Sequence, residues 1–315
     1  MPKMKKENIL IYTCLLITLT NIALLIFLVC RPQTQSVDSG LSTPFRGEVS
    51  ATPDVPMPEQ MSLAGEPVPL NRTDVREALE KELIVNTYLH SHTVQILKNA
   101  PRMFEVIEPI LKKNGIPEDF KYLAVIESRL DPMAVSYAGA VGLWQIMKGT
   151  AKELGLEVDN EVDERYHIEK STQAAADYLN KAYRKLGSWT LAAASYNAGI
   201  NMITKQMNIQ QQNDYYNLLL GEETGRYVFR ILALKQIMNH PEMYRFRCDK
   251  PHPAEETQNI KVNSSVKSWS EFAREQGVSY KTMKRFNPWL RNTGLHNPRH
   301  KVYEIKIPVK KEHYR

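Results

Sequence analysis

The sequence has too few cysteines to build a disulfide framework. Only three occur in 315 residues: Cys14 lies within an apolar run, Cys30 at its edge, and Cys248 alone in the downstream part. No intramolecular bridge is therefore expected in the folded region. Metal ligands are equally sparse. The eight histidines are scattered, His90 and His92 form the closest pair, and no Cys/His cluster has ligand spacing, so neither a metal nor another cofactor is expected. A concentrated basic patch is missing too. The net charge of +6 comes from positive residues spread along the chain, which does not favour nucleic acid as a partner.

Long apolar runs are absent except at the start. Residues 9–30 are almost wholly apolar, about the ~20 residues that a membrane-spanning helix needs, and Lys3, Lys5 and Lys6 precede them. The expectation is a cytoplasmic tail over 1–8, a transmembrane anchor over 9–30, and a soluble part outside the cytoplasm. A cleaved signal peptide is the first rival, but the run is long for one and no A-x-A-like site follows. A lipoprotein anchored through Cys30 is the second, disfavoured by the bulky Val29 before it. Residues 31–72 are rich in Pro, Ser, Thr and Glu and poor in aromatics, so they read as a disordered tether.

From Thr73 the apolar spacing turns helical. Leu79, Leu83, Tyr88 and Leu89 mark one helix; Met103, Ile107, Ile110 and Leu111 mark a second, which Gly115 ends. The next helix, expected over 117–129 and stopped by Asp131-Pro132, carries a candidate catalytic group. Phe120, Leu123, Ala124 and Glu127 fall at i, i+3, i+4 and i+7, which places a carboxylate on an otherwise apolar face. Loss of hydration there disfavours the charged form and raises the pKa toward the range useful to a general acid. Pairing of Glu127 with Lys121 or Arg129 is the alternative. Ser136, Tyr137, Gly139 and Gly142 then suggest a tight loop. Trp144 and Gln145 follow it, as a sugar platform or, for Trp144, as core. Thr150-Ala151-Lys152-Glu153 reads as a capping box opening another helix, residues 168–186 as a long amphipathic one, and 191–198 as a closely packed alanine-rich one capped by Gly199.

Glu127-Ser128, Ser136, Gly142-Leu143-Trp144-Gln145 and Ser195-Tyr196-Asn197-Ala198-Gly199, in that order and spacing, resemble the motifs of the family 1 lytic murein transglycosylases. Two positions differ: Trp144 stands where that family most often has Met, and Ser195 where it often has Ala. The resemblance implies an all-α lysozyme-like domain over 73–247 with Glu127 catalytic. It also implies that Ser128, Ser136, Gly142, Trp144, Gln145, Tyr196, Asn197 and Tyr227 bind substrate. Tyr227, in Gly225-Arg226-Tyr227-Val228, would face the carboxylate, and Asp163 and Arg165 would brace the domain.

After Pro251-His252-Pro253 the pattern becomes strand, two short helices, strand over 256–310, which resembles a LysM module that either binds glycan or buttresses the domain before it. The expected fold class is thus an all-α lysozyme-like domain with an N-terminal transmembrane helix and a small βααβ module. The expected partner is the peptidoglycan glycan strand, in the periplasm or cell envelope. One carboxylate without an obvious second argues against a two-acid glycosidase. The resemblance supplies the alternative, a lyase-type cleavage of the MurNAc-GlcNAc bond that leaves a 1,6-anhydro end. A lysozyme-like hydrolase and a non-catalytic wall-binding protein remain as rivals.

Overall fold

The computed structural model describes residues 54–309. A short hairpin, β1 (Ser62–Leu63) with β2 (Glu66–Pro67), precedes α1 (Thr73–Tyr88) and α2 (His90–Lys113). A single turn of tighter helix at Glu118–Phe120 leads into α3 (Lys121–Ser128), and α4 (Lys148–Glu153) follows a long loop. Then come α5 (Ile168–Leu186), α6 (Trp189–Ala198), α7 (Ile200–Gln210) and α8 (Glu222–Asn239).

The alanine-rich stretch decides the centre of the domain. Leu191, Ala192, Ala193, Ala194 and Ser195 are all buried, so α6 is enclosed on every side, and the small side chains let α5, α7 and α8 approach it closely. Its N-terminus is satisfied from a distance. Glu66 accepts hydrogen bonds from the Trp189 and Thr190 amides and from both the Ser188 and Thr190 hydroxyls, matching a carboxylate to the exposed amides and positive dipole end. These bonds hold the Glu66 carboxyl below the usual range although its burial acts in the opposite direction. α8 packs against α1, α3 and α6, and so connects the candidate acid to the rest of the core.

The C-terminal module has β3 (Thr257–Val262) antiparallel to β4 (Tyr303–Pro308), with α9 (Trp269–Glu275) and α10 (Tyr280–Phe286) between them in sequence. Thr257 pairs with Pro308 and Val262 with Tyr303. Ser268 and Ser279 cap the two helices by accepting bonds from the Glu271 and Thr282 amides.

Three expectations are corrected. The described fold is a helical domain with a small strand module: no helix among the described residues is long and apolar enough to cross a membrane, so the fold class loses its transmembrane element. The stretch over 9–30 on which that expectation rested lies outside the described residues. Second, residues 54–72 are packed rather than tether-like, because Val55, Leu63, Val68 and Leu70 supply enough apolar surface to enter the core. Third, Thr150 does not open a helix. α4 begins two residues earlier, with Met147 in extended conformation and no side-chain cap. The helix α7 carried no clear periodic signal, since only Ile203 of its residues is buried.

Candidate active site

Glu127 sits in the last turn of α3, and the abrupt end of that helix aims it. Arg129 and Leu130 both adopt left-handed backbone, with φ of 56° and 60°, so the chain leaves the helix directly after Ser128. Two successive non-glycine residues in that region are costly and persist only where the surroundings enforce them. Leu130 is buried, and Asp131 accepts a bond from the Met133 amide in a side-chain turn, so both neighbours hold the bend.

The Tyr227 hydroxyl on α8 donates a hydrogen bond to Glu127 Oε1. Phe120, Leu123 and Ala124 on the same face of the segment are buried. Desolvation is the largest influence on Glu127 and pushes its pKa up to about 7; the Tyr227 bond acts against it, the nearby Glu223 charge reinforces it, and Arg230 opposes it. Burial also raises the Tyr227 hydroxyl well above its ordinary value, so it stays a donor. With Oε1 occupied by Tyr227, Oε2 is left for a transferable proton.

The loop after α3 is a braced hairpin. Ser136 donates its amide to the Ala140 carbonyl, accepts the Gly139 amide on its own carbonyl and the Ala140 amide on its hydroxyl, and Gly142 donates to Ala134. Gln145 bonds the Ala134 and Gly142 carbonyls through Nε2. Beneath it lies a buried ion pair: Arg165 contacts Asp163 through Nε at 2.9 Å and Nη2 at 2.7 Å, and donates through Nη1 to the Gly139 and Ile146 carbonyls.

Gly142 serves this packing. It has φ of +80°, and a Cβ there would lie 2.1 Å from the Arg165 carbonyl oxygen. A Gly142→Ala variant should lose about 3 kcal/mol or more, since both the backbone conformation and a rigid contact oppose the methyl group. Thermal melting would show it; an unchanged transition would mean that the loop does not press on residue 165.

Several residues expected to touch substrate face inward instead. Trp144 has no exposed surface, and its indole Nε1 donates to the Thr172 hydroxyl, so its large apolar area is used in the core and its ring is no sugar platform. The aromatic ring that the loop does present to solvent is Tyr137, at 110% relative exposure. Ser128 is buried and donates to the Leu143 carbonyl at 2.8 Å, joining α3 to the loop. Tyr196 spends its hydroxyl on the Trp144 carbonyl at 2.9 Å. Asn197 does not bond Glu127: its Oδ1 accepts from Thr224 and its Nδ2 donates to Glu223. Glu223 was missed at the level of sequence. Its only signal was its place four residues before Tyr227, which puts the two on one face of α8.

Two family models match the chain: "Transglycosylase SLT domain" over residues 105–219 and "Soluble lytic transglycosylase C-terminal LysM-like domain" over 258–311. Membrane-bound lytic murein transglycosylase D of Escherichia coli (strain K12) is 29% identical over 226 residues, covering 70% of this chain and 49% of that protein. The chain thus spans about half the length of the curated relative it matches. Peptidoglycan transglycosylase gp16 of Escherichia phage T7 is 33% identical over 140 residues, covering 43% of this chain and 10% of that one. Among solved structures, the 70 kDa soluble lytic transglycosylase SLT70 of Escherichia coli aligns with a TM-score of 0.38 and 21% identity, covering 46% of this chain and 26% of that one. The domain with Glu127, Ser136 and the Ser195–Gly199 motif belongs to the transglycosylase SLT family, and the module after it is the LysM-like domain that accompanies it.

Proposed function

We propose that this protein is a peptidoglycan lytic transglycosylase that cleaves the β-1,4 bond between MurNAc and GlcNAc and leaves a 1,6-anhydro-MurNAc end. The observation that carries the reading is Glu127, an acid held neutral by burial up to a pH of about 7, with one oxygen fixed by Tyr227. Such a group can give a proton and take one back. Glu127 protonates the glycosidic oxygen as the bond to C1 of MurNAc breaks. The carboxylate so formed then removes the proton of the MurNAc C6 hydroxyl as that oxygen closes on C1. The acid is regenerated, and no water enters the product. Peptidoglycan as substrate places the protein's work in the cell envelope.

The second reading is hydrolysis. It is favoured by Glu223, a carboxylate close enough to raise the Glu127 pKa and able to activate a water in the manner of a two-acid glycosidase. Mass spectrometry of digested peptidoglycan separates the two: 1,6-anhydro ends are expected, and reducing ends in their place would replace lyase by hydrolase. Soluble glycan left uncut by folded protein would favour a wall-binding protein.

Tyr227→Phe tests the proton assignment. Removing the hydroxyl takes away a bond that lowers the Glu127 pKa, so the alkaline limb of the pH profile should move above about 7. The rate at the optimum should fall about 10- to 100-fold, because the remaining carboxylate loses a preorganised donor. A limb that stays in place would mean that another group governs it.

A further inference from the structure

The LysM-like module is joined to the SLT domain through the very residues that hold the loop beside Glu127. Val141 of that loop, with Val162 and Tyr166, belongs to the module's hydrophobic cluster, alongside Trp289, Leu290, Tyr303 and Ile305. Backbone ties run across the seam. Val162 bridges to Leu290, the Asp163 amide donates to the Trp289 carbonyl at 2.8 Å, and the Arg291 amide donates to the Glu161 carbonyl at 2.7 Å. Side chains add to them: Lys301 pairs with Glu157 at 2.5 Å, Lys306 pairs with Glu169, and the Trp289 ring lies 5.4 Å from that of His167.

The contacts form a continuous path. Trp289 fixes the backbone at Asp163; Asp163 holds Arg165; Arg165 ties down the Gly139 and Ile146 carbonyls, and its own carbonyl meets Gly142. Ser136 stands in the hairpin so held, three residues from Gly139. A module whose task was only to find glycan would need no such path, and a flexible linker would serve it better.

We infer that the LysM-like module is a positioning element for the reaction: it presses the 134–146 loop into its working geometry through Trp289, Asp163 and Arg165. The inference rests on the transglycosylase reading for its kinetic consequence, though not for the coupling itself. The coupling is mechanical. A loop that is held within a fraction of an ångström keeps bound glycan aligned with Glu127, and a loosened one costs rate before it costs affinity.

Two variants of the full chain test it. Trp289→Ala removes the ring at the seam, and the double variant Lys301→Met/Lys306→Met removes only the ion pairs to Glu157, Glu164 and Glu169, so it preserves the fold if the first variant does not. In Trp289→Ala, kcat on soluble glycan should fall about tenfold with KM within about threefold of the parent, and the double variant should shift kcat the same way by about two- to threefold. Lys301→Arg, with Lys306 intact, should keep the parental rate. Amide hydrogen exchange over 136–146 should quicken in both lowered variants. Unchanged exchange and kcat in folded variants would overturn the inference, as would a loss confined to KM, which would make the module a glycan-binding surface. If the parent makes no anhydro-ended product, the functional reading fails, and the exchange measurement still decides the coupling.

Discussion

Glu127→Gln should abolish glycan cleavage and, at pH 8, make the protein more stable. The amide keeps the shape of the carboxyl and can still accept the Tyr227 hydroxyl, but it has no proton to transfer, so a loss of at least about 10³-fold is expected. The stability effect follows from the direction of the pKa shift. Glu127 titrates at about 7 when folded, against ~4.3 in an unfolded chain, so the native state binds the proton more tightly. The stability linked to that proton is complete below ~4.3, drains as the pH climbs, and is gone above about 7. At pH 8 the native protein carries a desolvated charge that glutamine would lack, and the variant should gain about 3–4 kcal/mol there and little near pH 4. Melts of both proteins across that range measure the difference. A variant that melts lower at pH 8 would identify Glu127 as an ion-pair partner, with Arg230 the candidate, and would remove the general-acid argument.

The second large effect is expected at Arg165. It is buried with Asp163 and contributes three of its nitrogens to that carboxylate and to the loop carbonyls. Arg165→Met leaves Asp163 charged, buried and unpaired, a change that costs about 3–5 kcal/mol, or roughly 10 °C in Tm for a domain of this size. The double variant Asp163→Leu/Arg165→Met removes both charges and should recover much of the stability, because well-packed apolar groups often replace a buried pair at little cost. Activity should not recover with it. The Gly139 and Ile146 carbonyls still lack their donor, and the loop bearing Ser136 loses its support. Recovery of both together would mean that the pair serves stability alone.

Part of the candidate site was legible in the sequence. Glu127 on an apolar face required only the 3.6-residue period, and Tyr227 followed from the motif resemblance. Trp144 shows where such reading fails. A tryptophan beside glycines and a glutamine fits a sugar platform or a core anchor equally well, and its zero exposure is a consequence of Thr172 on α5 offering the indole a partner. Asn197 and Glu223 fail for a related reason. Their bond joins α6 to α8, helices whose crossing no local pattern specifies.

By itself the sequence determined the helical character of the domain, the strand–helix–helix–strand order of the module, and the apolar helix face that carries Glu127, because each depends on periodicity or on a run of neighbouring residues. Tertiary structure alone decided which polar groups became ligands for one another. Ser128 went to Leu143, Tyr196 to Trp144 and Gln145 to its own loop, since a buried donor must take the acceptor that packing brings within reach. It decided also that residues 54–72 join the core and that the module's Trp289 carbonyl meets Asp163. Those are contacts between residues far apart in the chain, and their energies exist only once the intervening helices have folded between them.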